Sequence, residues 1–213
     1  MSSEEILQEV AVEVSTCAKC KLCNGRTRAV PGEGNPQARI LFIGEGPGFH
    51  EDKQGRPFVG PAGQFLDELL ASINLQRKDV FITNVVKCRP PNNRDPEPEE
   101  IQACSEYLDR QIAAMQPRVI VTLGRFSMAK FFGNEKISSI HGRARKKGSL
   151  ICIAMYHPAA GLHQASLKDV IRNDFKKIPL IIAEAERMEA EAPKKAPSPS
   201  KKLEEPPQQL SLF

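Results

Sequence analysis

Apolar positions along the chain fall into two patterns, which predict an alternation of strands and helices. Short runs dense in Val, Ile and Leu predict strands over residues 39–43, 80–86, 119–123 and 150–155. Because these runs are apolar at nearly every position, both faces of each strand are expected to be covered. Apolar residues at helical spacing predict helices over residues 62–75, 98–115, 125–132 and about 167–188.

Strands that alternate with helices are typical of parallel sheets with crossover connections. The pattern therefore predicts an α/β fold, a three-layer α/β/α sandwich with a four-stranded parallel sheet. In such sheets ligands bind outside the carboxyl ends of the strands. The loops that follow the four strands are thus where functional side chains are expected.

The composition changes near residue 190, after which Ala, Pro, Lys, Ser and Glu predominate. Such a segment buries too little apolar surface to fold. We therefore expect one domain over residues 1–185, a flexible linker over residues 186–208 and a separate short motif at residues 209–213, where large apolar side chains return.

Charge is distributed unevenly along the 213 residues, although the net charge is only +4. Residues 1–16 carry −4, residues 186–213 are neutral, and residues 17–185 carry +8. This basic body suits a polyanionic partner such as a nucleic acid. No apolar run approaches the roughly 20 residues that span a bilayer, and the acidic N-terminus lacks the basic start of a secretory signal. We expect no membrane partner and a cytoplasmic location.

Six cysteines mark a candidate metal site, because cytoplasmic thiols more often stay free or bind metals than form disulfides. They are Cys17, Cys20, Cys23, Cys88, Cys104 and Cys152. The first three form a CxxCxxC run, and Cys88 and Cys104 could complete a four-thiolate site for zinc or an iron–sulfur cluster. The spacing does not choose between these metals, nor between Cys20 and Cys23. Cys152 lies within a predicted strand and is interpreted as a core residue.

Glycines and three polar side chains occupy the carboxyl ends of the predicted strands. The first strand leads into Gly-Glu-Gly-Pro-Gly at residues 44–48, and Asn84 and His157 lie at the ends of the second and fourth strands. Glycines let the backbone approach a ligand closely, and the helix that begins near Gly63 offers free amides to a phosphate. The loop has neither P-loop nor dinucleotide-binding spacing. Glu45, Asn84 and His157 are therefore candidates for the chemistry.

Five features occur together: GEGPG at residues 44–48, GRPFVG at 55–60, TNxxKCRP at 83–90, HPA at 157–159, and the cysteines. Together they resemble the family 4 uracil-DNA glycosylases, the iron–sulfur branch of the uracil-DNA glycosylase superfamily. The resemblance extends over about residues 17–180. It implies a [4Fe-4S] cluster on the matching positions Cys17, Cys20, Cys88 and Cys104, with Cys23 left out.

The resemblance also implies an activity. It indicates a monofunctional enzyme of base excision repair that flips uracil out of single- or double-stranded DNA and hydrolyses its N-glycosidic bond, leaving an abasic site. By the same resemblance, Phe58 stacks on the base, Asn84 reads its polar edge and His157 donates a hydrogen bond to uracil O2. Glu45 positions water or stabilises the cationic sugar. The implied uracil-binding residues are Glu45, Gly46, Pro47, Glu51, Phe58, Asn84 and His157.

Contacts to DNA are expected from Gly63, Arg89 and Leu162, with Leu162 as the apolar wedge that fills the vacated stack. His141 is disfavoured as a covalent nucleophile, because the Arg-rich insertion that accompanies such a histidine in a related branch is missing. The competing interpretation is a non-catalytic iron–sulfur DNA-binding module of the same fold. We expect a monomer.

The last five residues, QLSLF at 209–213, resemble the bacterial sliding-clamp binding pentapeptide. Leu and Phe side chains at the end of a flexible segment can fill apolar pockets of a partner. The resemblance therefore implies that Gln209, Leu210, Leu212 and Phe213 bind the DNA polymerase sliding clamp.

Overall fold

The computed structural model describes residues 1–191, which contain nine α-helices, three short 3-10 helices and one sheet of six strands. The helices are α1 (Ser3–Thr16), α2 (Phe49–Gln54), α3 (Pro61–Ala71), α4 (Pro98–Met115), α5 (Arg125–Phe132), α6 (Ile137–Ile140), α7 (Pro158–His163), α8 (Ala165–Phe175) and α9 (Lys177–Glu191). The strands are β1 (Glu33–Gly34), β2 (Ile40–Gly44), β3 (Phe81–Asn84), β4 (Val119–Leu123), β5 (Ala144–Lys147) and β6 (Leu150–Met155). The predicted bounds of α4, α5, β4 and β6 are confirmed at both ends.

The sheet is larger than predicted. Its strand order is β1-β3-β2-β4-β6-β5, and the four central strands run parallel, as expected. Two antiparallel edge strands, β1 and β5, make it six-stranded rather than four-stranded. β1 has only two residues and the side chains of β5 are exposed and mostly basic, so neither gives an apolar pattern. Charged residues on an edge strand also discourage pairing with another sheet.

Helices cover both faces of the sheet, which confirms the three-layer sandwich. Leu41 and Ile43 of β2 enter one core with residues of α1 and α4. Phe42, between them, enters the other core with residues of α3 and α8. This alternation follows from the pleat of a strand and explains why the strands are apolar at successive positions.

Helix α1 was not anticipated, although its start has a recognisable signal. Ser2 and Glu5 form a capping box, in which Glu5 N–H donates to Ser2 Oγ at 3.2 Å and Ser2 N–H donates to Glu5 Oε2 at 2.7 Å. Leu7, Val10 and Val14 then bury one face of the helix. The helix places the CxxCxxC run beside the sheet.

The long helix expected over residues 167–188 is divided between α8 and α9. Pro179 lies in the first turn of α9. Proline has no N–H to donate to the carbonyl of Phe175, and its ring would clash with that carbonyl in a continuous helix. The helix is therefore interrupted before Pro179. Residues 186–191, expected to begin the linker, belong to α9. The remainder of the linker and the motif at 209–213 lie outside the described residues.

The expected helix over residues 62–75 is shorter in the structure and ends at Ala71. The expected strand over residues 80–86 is likewise shorter, because the chain leaves the sheet after Asn84. Across the described part of the chain, no helix is both long and apolar enough to cross a membrane.

Candidate active site

A pocket at the carboxyl edge of the sheet, which we call the edge pocket, brings together most of the residues singled out in the sequence. Its volume is about 520 Å³. Glu45, Asn84 and His157 reach it from the ends of β2, β3 and β6. The other expected uracil-binding residues also line it: Gly46, Pro47, Glu51 and Phe58. The sheet therefore assembles a site from segments that are distant in sequence.

The ring of Phe58 lies against the imidazole of His157, with centroids 5.4 Å apart and planes at 25°. The backbone of Phe58 has φ of +52°, a conformation unfavourable for a bulky residue. Arg77, which the sequence did not single out, holds it there: its guanidinium donates to the carbonyls of Phe58 and Pro57. Gly63 packs beneath Phe58, and a Cβ added to Gly63 would lie 1.8 Å from Phe58 O.

Glu51 holds the same loop from the other side. Its Oε1 accepts hydrogen bonds from the backbone N–H groups of Val59 and Gly60, both at 2.9 Å. Its Oε2 accepts one from Gly48 N–H at 3.1 Å. Both carboxylate oxygens are thus engaged by the backbone around Phe58, which gives Glu51 a supporting role in the pocket wall.

Asn84 presents an unsatisfied acceptor to the edge pocket. The residue is buried, and its Oδ1 has no hydrogen-bond partner among the described residues. A buried acceptor without a donor costs about 1–3 kcal/mol, which a ligand N–H would recover. A Cβ at Gly44 would lie 2.3 Å from this oxygen, so glycine is what allows Asn84 its place beside β2.

His157 is fixed in one tautomer. Its Nδ1 accepts a hydrogen bond from Ala159 N–H at 3.1 Å, at the start of α7. Loss of hydration in the pocket lowers the pKa of His157 to about 4. The imidazole is therefore neutral at pH 7, and its proton resides on Nε2, where it can be donated to a ligand.

Glu45 contacts the N-terminus of α5. Phe126 N–H donates to its Oε1 at 3.3 Å, and burial raises the pKa of the carboxyl group. The close approach of Glu45 to α5 requires glycine at position 124. Gly124 has a φ of +96°, and a Cβ added there would lie 2.3 Å from Glu45 Oε1. Gly124 was not singled out in the sequence, although a glycine between β4 and α5 is a signal for such a turn.

The three expected DNA contacts lie in different surroundings. Leu162 lines the edge pocket and is 45% exposed, as a wedge requires. Arg89 lies over the ring of Phe49, a half-exposed residue of the pocket rim, at 5.2 Å. Gly63 is buried beneath Phe58, so it is not placed to contact DNA, and its presence is explained by packing.

His141 lies outside the edge pocket. Its Nδ1 is 2.6 Å from Asp174 Oδ2, and its ring packs against Tyr156. These contacts anchor His141 to α8 and to the end of β6, and its exclusion as a nucleophile stays a prediction.

A second, smaller pocket, here called the cysteine pocket, is lined by five thiols: Cys17, Cys20, Cys23, Cys88 and Cys104. Hydrogen-bond donors approach three of the sulfurs: Lys19 N–H is 3.4 Å from Cys17 Sγ, Arg26 Nη1 is 3.2 Å from Cys88 Sγ, and Lys87 N–H is 3.3 Å from Cys104 Sγ. Cys23 instead donates to Asn24 Oδ1 at 3.3 Å. Cys152 is buried in β6, as expected of a core residue.

The donor set of the cysteine pocket, five thiols with no carboxylate or imidazole among its lining residues, fits a thiolate-ligated metal centre. Within residues 1–191, no three His, Cys, Asp or Glu side chains converge on a point where one metal ion could bind. Ligation by thiolates alone suits either zinc or an iron–sulfur cluster. N–H groups directed at the sulfurs are also a feature that tunes such clusters.

The fold and the pocket define the class of protein. The family model of the uracil DNA glycosylase superfamily matches residues 31–178, which include all six strands as well as Glu45, Asn84 and His157. The chain belongs to this superfamily.

Curated relatives place the chain more narrowly. It is 51% identical over 182 residues to the type-4 uracil-DNA glycosylase of Sulfurisphaera tokodaii, covering 81% of this chain and 83% of the relative. The type-4 enzyme of Archaeoglobus fulgidus is 50% identical, with 82% and 92% covered. That of Thermotoga maritima is 45% identical, with 82% and 93% covered. The chain is a member of the type-4 uracil-DNA glycosylases, which confirms the expected family.

Proposed function

We propose that the protein excises uracil from DNA in base excision repair, by flipping the base into the edge pocket and hydrolysing its N-glycosidic bond. The observation that carries this proposal is the pairing of an unsatisfied buried acceptor, Asn84 Oδ1, with a neutral histidine whose Nε2–H is available. Uracil offers the complement, an N3–H donor and two carbonyl acceptors. The type-4 relatives support the same substrate.

Asn84 gives the pocket its choice of base. An amide presents one acceptor and one donor side by side: Oδ1 receives the uracil N3–H and the NH₂ group donates to O4. Cytosine has an unprotonated N3 and an amino group at these positions. Its N3 would face the acceptor Oδ1 and its amino group would face the NH₂ group, so neither hydrogen bond could form. An opposed or unpaired buried polar group is what makes such sites selective.

His157 stabilises the leaving group. As the glycosidic bond breaks, negative charge collects on the uracil ring, and Nε2–H donates to O2 where part of this charge resides. A preorganised donor of this kind supplies roughly 3–4 kcal/mol. With a pKa of about 4, the imidazole acts as a neutral donor and keeps its proton.

Glu45 serves the sugar side of the reaction. A carboxylate here can hold the attacking water and balance the positive charge of the oxocarbenium-like sugar. Amides at the start of α5 orient it. None of the residues that line the edge pocket is a lysine, which supports a monofunctional enzyme that forms no Schiff base and leaves an abasic site.

The cysteine pocket is proposed to hold a [4Fe-4S] cluster on Cys17, Cys20, Cys88 and Cys104. The cluster would link the N-terminal segment, the loop after β3 and α4, which carry these residues. Free thiols kept for this purpose suit a reducing compartment, and we propose the cytoplasm. Leu162 and Arg89 are proposed to contact DNA at the rim of the edge pocket.

Activity is tested with purified protein on oligonucleotides that carry one uracil, in single-stranded form and opposite G or A. Alkaline heating is expected to cleave the strand at the abasic site only after incubation with the protein, and Asn84→Leu is expected to abolish this. An oligonucleotide with cytosine at the same position is the control. Uracil binding without release of the base would instead support a non-catalytic module.

The monofunctional mechanism has a separate test. Incubation with substrate and borohydride is expected to give no covalent protein–DNA adduct, because no lysine lies in the edge pocket. An adduct trapped under these conditions would contradict the mechanism.

We also propose that Gln209, Leu210, Leu212 and Phe213, which lie outside the described residues, bind the sliding clamp. Deletion of residues 209–213 is expected to abolish retention of the protein on an immobilised clamp. Activity on a short oligonucleotide is expected to stay at the level of the full chain, because the residues proposed to read the base and carry the chemistry, Glu45, Asn84 and His157, are all retained. Retention by the truncated chain would refute this assignment.

A further inference from the structure

Lys87 is a buried cation between the two pockets. It is 1% exposed, although lysines are almost never fully buried without a partner. Its Nζ donates to three oxygens: Thr83 Oγ1 at 2.6 Å, Asn84 O at 2.9 Å and Gln111 Oε1 at 2.7 Å. An ammonium group has three donors, so its capacity is used completely.

The backbone of Lys87 is held as firmly as its side chain. Its N–H donates to Cys104 Sγ at 3.3 Å, and its carbonyl accepts from Val30 N–H at 2.7 Å. Cys104 and Gln111 lie two turns apart on α4. The backbone N–H of Lys87 contacts Cys104, and its ammonium group contacts Gln111. Lys87 therefore fixes the loop after β3 against α4 at two points.

The N-terminal segment joins the same network. Pro31 O accepts from Thr83 Oγ1 at 2.9 Å and from Gln111 Nε2 at 2.8 Å. The same two side chains accept hydrogen bonds from the Lys87 ammonium, through Thr83 Oγ1 and Gln111 Oε1. The network thus connects β3, α4 and the segment that follows the CxxCxxC run, all of which carry or adjoin residues of the cysteine pocket.

We propose that Lys87 is a positioning residue that holds Asn84 toward the base and makes its orientation depend on the cysteine pocket. Asn84 reads the base with its side chain while its carbonyl is held by Lys87 Nζ. The loop from Asn84 to Cys88 is short, and Lys87 lines the cysteine pocket itself. A shift of Cys88 or Cys104 would therefore reach Asn84 through Lys87. The inference rests on the proposed uracil site.

The test compares Lys87→Met, which keeps an unbranched side chain but removes the three donors, with the wild-type holoprotein. The affinity for free uracil is measured by calorimetry, and iron content, visible absorption and the free energy of unfolding are measured on the same preparations. We expect uracil affinity to fall about tenfold, as expected for one misplaced hydrogen-bonding group. Retained affinity in folded Lys87→Met would overturn the proposal.

Lys19→Met is the matched control. Lys19 also lines the cysteine pocket, but its Nζ donates to Glu106 at 2.7 Å and lies over the ring of Tyr107, so its contacts are with α4 and not with Asn84. This variant removes a positive charge from the same pocket and is expected to keep wild-type uracil affinity. An equal loss in both variants would show that charge rather than positioning matters, and would also overturn the proposal.

Thr83→Val is the alternative test variant if Lys87→Met does not fold. It removes one of the ammonium's acceptors while the charge remains, and uracil affinity is expected to fall severalfold with iron content unchanged. Unchanged affinity would contradict the positioning role.

Dependence on the cysteine pocket is tested with a double-mutant cycle. Cys104→Ala is expected to lower uracil affinity in the wild-type background and to add little in Lys87→Met, because coupled positions are not additive. Fully multiplicative effects would show that the two residues act independently. Failure of wild-type protein to bind uracil or release it from DNA would count against the proposed function and not against Lys87.

Discussion

The imidazole of His157 is constrained by a hydrogen bond at Nδ1 and by stacking on Phe58. Its lowered pKa has a thermodynamic consequence, because an unfolded chain exposes a histidine with an ordinary pKa near 6.5. As the pH falls from 6.5 toward 4, the unfolded state takes up a proton that the folded state excludes. Acidification over this interval therefore lowers the free energy of unfolding.

We predict that His157→Asn removes this loss. Between pH 7 and pH 4.5, the free energy of unfolding is expected to fall in both proteins. Because the pKa of His157 is about 4, the fall should be about 2 kcal/mol larger in the wild type than in the variant. Denaturant unfolding at the two pH values measures the difference. Gly25→Ala, which retains His157 and lies at a position with nothing within 4 Å of a Cβ, should show the wild-type dependence. A loss of stability in His157→Asn equal to that of the wild type would contradict the assignment.

The loop between α2 and α3 depends on atoms that give no sequence signal of their role. Glu51 binds three backbone amides, Arg77 holds the carbonyl of Phe58, and Gly63 leaves room for it. The strain of the positive φ at Phe58 costs of order 1–3 kcal/mol, and these contacts offset it. These contacts preorganise the loop, and stacking of Phe58 on the base stays a prediction.

Gly63→Ala is predicted to destabilise the fold by about 1–3 kcal/mol, the usual effect of overpacking, and to lower kcat/KM by displacing Phe58. Denaturant unfolding and steady-state kinetics check this. Gly25→Ala, at a glycine with nothing within 4 Å of a Cβ, is the matched control and should be close to neutral. The dependence of DNA binding on salt should be unchanged in Gly63→Ala; a reduced slope would instead indicate a lost phosphate contact.

The cysteine pocket joins segments from across the chain, since Cys17 and Cys20 follow α1, Cys88 follows β3, and Cys104 lies on α4. The proposed cluster would cross-link these segments, because binding free energy at such sites becomes folding free energy. The basic charge of residues 17–185, +8, is carried by the same body and suits its proposed DNA substrate.

Cys20→Ser is therefore predicted to lose iron and to lower the free energy of unfolding by about 2–4 kcal/mol, comparable to removal of a cross-link. Iron analysis, visible absorption and thermal unfolding measure both effects. Cys23→Ser is the control and should keep its iron, because Cys23 Sγ is directed at Asn24. Loss of iron in Cys23→Ser alone would reverse the choice between the two cysteines.

Local patterns determined much of this protein. Strands β4 and β6 and helices α4 and α5 were predicted to the residue, because runs of Val, Ile and Leu and helical spacing are properties of contiguous segments. The motifs around Glu45, Asn84 and His157 also indicated the family, and the sheet brought these residues to one pocket as the rule for parallel strands requires.

Features that depend on contacts between distant segments needed the tertiary structure. β1 and β5 are strands only because neighbouring strands offer them hydrogen bonds, and their own residues show no apolar period. Gly63 looked like a phosphate contact in sequence but is buried beneath Phe58. In the sequence, Lys87 is only one position of the TNxxKCRP motif, whereas in the structure Thr83, Asn84 and Gln111 accept hydrogen bonds from its buried ammonium group. A sequence specifies which groups are present, whereas burial and hydrogen-bond partners are fixed only when β3, α4 and the N-terminal segment pack together.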